Sequence, residues 1–295
     1  MQLFIDQILN GVSVGVIYAS VALALVLIYR TTGLINFAQG ELALFSTFIT
    51  WWIAVEQGVP IGWAILLSTA IGFVGGALIE RILIRPVEGG HSPLNIVIVT
   101  IGLFLAVNAL AQLIFIKPGQ EALQMPTLYP RGDLAFGVRN STAVFAAVLV
   151  TECVLLWLLL QKTRLGLALR AVASNTESSR LAGINTGTVL MVGWGLAAAI
   201  GAVAGSLAAM RGSGFDTSLM QEVLVFSFAA AALGGFDSPL GAVVGGVVVG
   251  VANTLTVQYV GAIDGIEMVV HFVLILVVLM VRPNGLFGRT IVERV

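Results

Sequence analysis

Residues 8–29 read ILNGVSVGVIYASVALALVLIY, 22 residues with no charge between Asp6 and Arg30. Wound as a helix at about 1.5 Å per residue, a run of this length crosses the ~30 Å of a bilayer's hydrocarbon, so it reads as a transmembrane helix. A secretory leader would need a basic stretch ahead of the apolar run and a small-residue cleavage site before Arg30. Neither is apparent, and an uncleaved first span is expected. The rest of the chain continues the theme: 10% of its 295 residues are charged and 58% belong to the AVILMFWYC set. Soluble domains carry about a quarter charged residues, so a water-facing surface could not be covered here. The net charge of −1 offers no footprint for nucleic acid, and one cysteine, Cys153, allows no intrachain disulfide.

Apolar runs predict spans near 8–29, 34–55, 61–80, 94–116, 140–160, 189–210, 222–235, 240–258 and 264–281. The expected fold is all-α: a polytopic transmembrane bundle of eight to ten spans, forming a single domain over 1–295 with a cytoplasmic loop at 161–188. The seventh run is short and ends in Gly234-Gly235-Phe236-Asp237-Ser238-Pro239, which reads as a broken or half-length helix, with a re-entrant pair over 222–239 as the alternative. Nine crossings put ten basic residues on one side (Arg30, Arg81, Arg85, Lys162, Arg164, Arg170, Arg180, Arg282, Arg289, Arg294) and four on the other (Lys117, Arg131, Arg139, Arg211). The positive-inside bias then predicts an outside N-terminus and a cytoplasmic C-terminus. Glycine recurs as small-xxx-small pairs, Gly11/Gly15, Gly72/Gly76, Gly201/Gly205, Gly241/Gly245 and Gly246/Gly250, the pattern that lets helices pack closely in lipid.

The most polar cytoplasmic stretch, KTRLGLALRAVASNTESSRLAGINTGT, reads as two short helices. Ser174-Asn175-Thr176-Glu177 has the spacing of a capping box, which predicts a helix beginning at Ser174, and Gly183 falls where a left-handed C-terminal cap is expected. A two-turn helix is marginal in water by itself, so a docking partner is expected for it.

Several motifs occur in order: Ile35-Asn36-Phe37-Ala38-Gln39-Gly40-Glu41; Glu80-Arg81 with Arg85-Pro86-Val87; Thr163-Arg164-Leu165-Gly166 with Arg170-Ala171 and Gly183-Ile184-Asn185; Gly234-Gly235-Phe236-Asp237-Ser238-Pro239-Leu240-Gly241-Ala242; and Arg282-Pro283-Asn284-Gly285-Leu286-Phe287-Gly288. Together they resemble the permeases of branched-chain amino acid ABC importers over nearly the whole chain, and the INFAQGE form and compact length resemble the LivH-type subunit. The resemblance implies an importer built with a second homologous permease (LivM-type) or a second copy, two cytoplasmic ATPases and an external binding protein, in the bacterial inner membrane. It implies that Ser174 to Ala182 is the coupling helix, with Arg170, Ser174, Asn175, Glu177, Arg180, Leu181 and Gly183 as coupling residues. ATP and Mg²⁺ would sit on the partner ATPase; this chain contains no Gly-Lys dipeptide and so no GxxxxGK[ST] phosphate loop. No enzyme activity, cofactor or metal is expected on the chain itself.

Asn36 and Gln39, three apart, are expected on one face at the cytoplasmic end of the second span, with Glu41 roughly opposite. Asn36, Gln39, Glu41, Asn95, Asn108, Gly234 and Gly235 are the candidate pathway residues, and helix-to-helix bonding is the plain alternative for the polar ones. Glycines 234, 235 and 241 would let the backbone open at a gate. Glu152 lies mid-span, where an acid costs about 2.5–3.5 kcal/mol on insertion scales, and it stays without a family role. A self-sufficient proton-linked carrier using Glu152, Glu41 or His271 is the rival class, and urea, short amides or aromatic acids are rival cargoes. Gly11-Val12-Ser13-Val14-Gly15 matches a nucleophile elbow, but it lies inside an apolar span where the strand-to-helix turn of an elbow is not expected.

Overall fold

The computed structural model describes residues 2–33, 35–88, 94–119, 122–130, 132, 139–260, 266–282 and 284–288. Among these the chain is helical: α1 (Gln2–Thr32), α2 (Gln39–Trp51), α3 (Ile61–Ile79), α4 (Arg85–Glu88), α5 (Leu94–Phe115), α6 (Asn140–Lys162), α7 (Arg164–Ser174), α8 (Thr176–Leu181), α9 (Thr186–Arg211), α10 (Leu219–Gly234), α11 (Pro239–Val260) and α12 (Ile266–Val281). Two π-helical turns continue α2 over Trp52–Glu56 and join α3 to α4 over Glu80–Ile84. Every predicted span coincides with a helix, and six helices among the described residues are long and apolar enough to cross a bilayer. This is a multi-pass helical membrane protein.

The seventh run is the short helix that the sequence predicts. α10 has 16 residues, about 24 Å at the helical rise, and 222–239 holds one helix and a tight turn into the 22-residue α11, not a pair of half-helices.

The chain divides into two compact units: residues 1–26, 129–149 and 223–295 form the first, and residues 27–128 and 150–222 the second. The divisions fall inside α1, α6 and α10 and between Leu128 and Tyr129.

In the first unit α1 runs antiparallel to α11 at van der Waals contact. A Cβ on Gly11 would stand 2.6 Å from Val251 Cα, one on Gly15 2.7 Å from Val247 Cα, and one on Gly246 would overlap Ala19. The glycine pairs are contact points because lipid offers no hydrophobic drive, and backbone proximity supplies the packing instead. Tyr18 and Phe226, with ring centroids 5.1 Å apart, fill the core with Val14, Ala22 and Val249. α10 and α11 form a hairpin whose backbones touch at Gly234 and Gly241.

In the second unit α2, α3 and α9 form the packed centre. A Cβ on Gly76 would stand 2.7 Å from Trp194 O, one on Gly195 2.8 Å from Phe73 O, and one on Gly201 3.2 Å from Ala43 Cβ. Phe48 stacks on Phe115 at 5.2 Å and meets Phe215 at 5.1 Å. Trp63, Leu66 and Val74 along α3, Ile82 in the π turn that follows it, and Leu94, Ile98, Leu105 and Leu113 along α5, are exposed. These apolar stripes, which would be untenable against water, face lipid in a membrane span.

Candidate functional site

Two polar regions and one glycine-rich junction carry the residues singled out in the sequence. The first region is the segment between α6 and α9. Thr163 caps α7, its Oγ1 accepting from Gly166 N at 2.9 Å, and Gly166 is the only size that fits under the end of α6, since a Cβ there would overlap the carbonyl oxygens of Leu159 and Leu160. Leu169 and Val172 anchor α7 on Val189 and Leu190 of α9. Arg170 donates from Nη1 to Gln161 Oε1 at 3.1 Å and from Nε to Gly166 O at 3.4 Å, so it braces α7 against the end of α6.

The next helix starts later than the sequence predicted. Ser174 is the last residue of α7, and Asn175 is the cap of α8, its Oδ1 accepting from Ser178 N at 2.8 Å while its own N–H closes α7 on Ala171 O. An extended Asn175 between two helices supplies an acceptor that satisfies an orphan N–H of the first turn, which the serine, still helical, does not. The helix therefore spans Thr176–Leu181, not Ser174–Ala182. Gly183 does adopt the left-handed conformation, at φ +82°; its N–H bonds Arg180 O and that of Ile184 bonds Ser179 O, a Schellman closure. Asn185 then caps α9 through Thr188 N at 3.1 Å. On α8, Ser179 is buried while Glu177, Ser178, Arg180 and Leu181 face outward, Leu181 with 90% of its surface exposed.

The second region is the head of α2. Asn36 precedes the helix, which begins at Gln39, and its Oδ1 accepts from Ala38 N at 3.0 Å. It still meets Gln39, Nδ2 to Oε1 at 3.5 Å, and Gln39 donates across to Ala197 O of α9 at 2.9 Å. Glu41 points the other way, to α5, where Asn108 donates to its Oε2 at 2.9 Å; Asn108 also donates to Thr217 O at 2.9 Å. Asn36, Gln39 and Glu41 are fully buried. Gln39 and Glu41 thus each make a helix-joining bond, Asn36 bonds within the head of α2, and Asn108 joins the group. Asn95 does not, being exposed in the first turn of α5. A small cavity of about 10 Å³ beside Asn36, lined also by Thr32, Thr100 and Trp194, holds room for about one water.

At the junction, Gly235 takes φ +103° and Ser238 Oγ accepts from Gly241 N at 3.0 Å to start α11. The segment after α12 closes over this turn: Leu286 N donates to Leu233 O at 2.8 Å and Phe287 N to Gly234 O at 3.0 Å. A Cβ on Gly235 would lie 2.8 Å from Asn284 O, and one on Gly285, at φ +79°, would lie 2.6 Å from Gly235 N. Two motifs 49 residues apart in sequence, at Gly235 and Asn284, thus form one object. Gly234, Gly235 and Gly241 serve close approach and a left-handed turn here.

Glu152 is half-buried in α6. Ser13, buried within helical α1, has no elbow around it. His91 and the side chains of Glu267 and His271 lie outside the described residues.

Two sets of contacts were not legible in the sequence, although Glu80 and Arg85 each lie in a motif quoted above. Thr50 Oγ1 lies 2.6 Å from Ser68 Oγ and 3.0 Å from Ser206 Oγ, a buried hydroxyl junction of α2, α3 and α9. Glu80, 1% exposed, is paired with Arg85, which reaches on to the first turn of α9.

The family model for the branched-chain amino acid transport system permease component matches residues 7–279. The chain belongs to this family. It is 31% identical to the high-affinity branched-chain amino acid transport system permease protein LivH of Escherichia coli K12, covering 99% of this chain and 98% of that protein. Identity to Pseudomonas aeruginosa BraD is 31% over 99% and 98%, and to the probable LivH of Methanocaldococcus jannaschii 27% over 96% and 92%. Members are permease components of transport systems and are not themselves enzymes. In this permease the two regions and the glycine junction account for most of the motifs that carry the resemblance.

Proposed function

We propose that this permease is the transmembrane subunit of an ATP-driven importer, moving branched-chain or other small hydrophobic amino acids inward by alternating access. It works beside a homologous LivM-type permease or a second copy, with two cytoplasmic ATPases and an external binding protein. ATP and Mg²⁺ belong to the ATPases. The N-terminus lies outside and the C-terminus in the cytoplasm, in keeping with ten basic residues on one side against four on the other.

The observation that carries this reading is α8. A six-residue helix, capped at both ends and projecting an almost fully exposed Leu181, is too short to persist alone and offers an apolar knob with no lipid role. An ATPase groove that receives Leu181 between Glu177 and Arg180 gives the helix its partner. Closure of the ATPases around ATP would then push α8, and through the rigid Gly183–Asn185 link, α9.

Cargo is tested by competition. Proteoliposomes holding the full set of subunits should take up radiolabelled leucine, with isoleucine and valine competing. Competition by urea or short amides, with isoleucine inert, would overturn the assignment.

A further inference from the structure

Arg85 stands at the meeting of three elements. Its N–H bonds Glu80 O across the π turn, and its side chain grips the same residue: Nε to Oε1 at 3.2 Å and Nη2 to Oε2 at 2.7 Å. In an α-helix residues five apart point in different directions. The wider π turn, whose bonds run i to i+5, brings them into register, so this turn is what makes the pair possible. From the same Nη2 the guanidinium reaches Gly187 O, 2.6 Å away, in the first turn of α9. Gly187 leaves the space, since a Cβ there would stand 3.0 Å from Arg85 Cζ. Glu80 is 1% exposed and Arg85 about a third. A buried carboxylate held bidentately fixes the guanidinium plane, and a fixed guanidinium fixes what it touches.

What it touches lies directly downstream of α8. Between Leu181 and Gly187 the chain has no slack: Ala182 closes α8, Gly183 and Ile184 complete its Schellman turn, and Asn185 caps α9. A shift of α8 is therefore a shift of Gly187.

We infer that the Glu80–Arg85 pair is the joint that passes movement of the α8–α9 elbow into α3, making Arg85 a positioning residue for coupling. The inference rests on the reading of α8 as the ATPase contact. α3 and α9 already touch at Gly76 and Gly195, and Arg85 adds a polar tie at the end nearest the motor, where the push arrives. The joint works through two separate bonds, to Glu80 and to Gly187, and a test can separate them.

The measurement is leucine imported per ATP hydrolysed, in proteoliposomes of the complete complex, for Arg85→Lys, Glu80→Gln and the swap Glu80→Arg/Arg85→Glu. Lysine offers a point charge that cannot hold both sites, so R85K should lower the ratio roughly tenfold while binding-protein-stimulated ATPase stays within about twofold. E80Q should lower it less. The swap restores an ion pair but leaves a carboxylate facing Gly187 O, so it should recover assembly without recovering the ratio. A wild-type ratio in R85K overturns the inference, as does recovery of the ratio by the swap, or a parallel fall of ATPase and transport. If R85K fails to assemble, E80Q decides: a reduced ratio supports the joint and an unchanged one overturns it. Absence of ATP-driven uptake in the unsubstituted complex would instead sink the importer reading.

Discussion

Asn108 donates to Glu41 Oε2 and to Thr217 O, each at 2.9 Å, so one amide nitrogen ties α5 to the head of α2 and to the segment before α10. Among the described residues Glu41 Oε1 has no hydrogen-bond partner. Removing Asn108 therefore leaves a buried carboxyl without its donor. N108A should cost about 1–3 kcal/mol in the stability of the detergent-solubilised permease, read by thermal unfolding. Adding Glu41→Gln should return part of the loss, because a neutral amide costs less to bury than a carboxylate. If the double variant is no more stable than N108A, the bond is not what Asn108 contributes.

Gly75 and Gly76 are neighbours with opposite surroundings. A Cβ on Gly75 meets nothing within 4 Å, whereas one on Gly76 would press on Ala198 Cβ at 2.6 Å and Trp194 O at 2.7 Å. Gly75→Ala should leave monodisperse yield unchanged, and Gly76→Ala should lower it by forcing α3 from α9. Equal behaviour of the pair would remove close packing as the explanation.

Asn175 caps α8 and Ser174 does not, so the two adjacent alanine substitutions separate the observed helix from the one a capping-box reading gives. N175A should weaken α8 by about 1 kcal/mol and lower ATP-coupled uptake, while S174A stays near wild type. G183A, at φ +82°, should behave like N175A. Measured uptake that falls with S174A and not with N175A would restore the earlier helix start.

Closure of the segment after α12 over the α10–α11 turn depends on a left-handed Gly235. G235A should release the amides of Leu286 and Phe287, which donate to Leu233 O and Gly234 O, and raise their hydrogen exchange. Unchanged protection of both amides would show the segment to be held elsewhere.

Membrane helices were legible because lipid imposes a plain rule: about 20 apolar residues in a row, every backbone bond kept inside the helix. The glycine pairs were legible as contacts for the same reason. The shortness of α10 was legible, but its end was harder, since a Gly-Gly pair reads alike as a break and as a close-packed hairpin end; only the neighbouring Gly241 and Asn284 decide. Asn36 and Gln39 share a side as their spacing suggested, but the helix begins after Asn36, whose side chain satisfies Ala38 N instead. The Glu80–Arg85 pair was hidden because its five-residue spacing matches no α-helical face, and a π turn leaves no mark in periodicity. The Thr50–Ser68–Ser206 junction was hidden because single hydroxyls in apolar runs occur in most spans.

Radiolabelled leucine uptake into proteoliposomes, with ATPases, second permease, binding protein and internal ATP each present or withheld, tests the importer account most directly. Uptake that requires every component together with ATP is the predicted result. Uptake by this chain alone, driven by a pH gradient and abolished by Glu152→Gln, would contradict it.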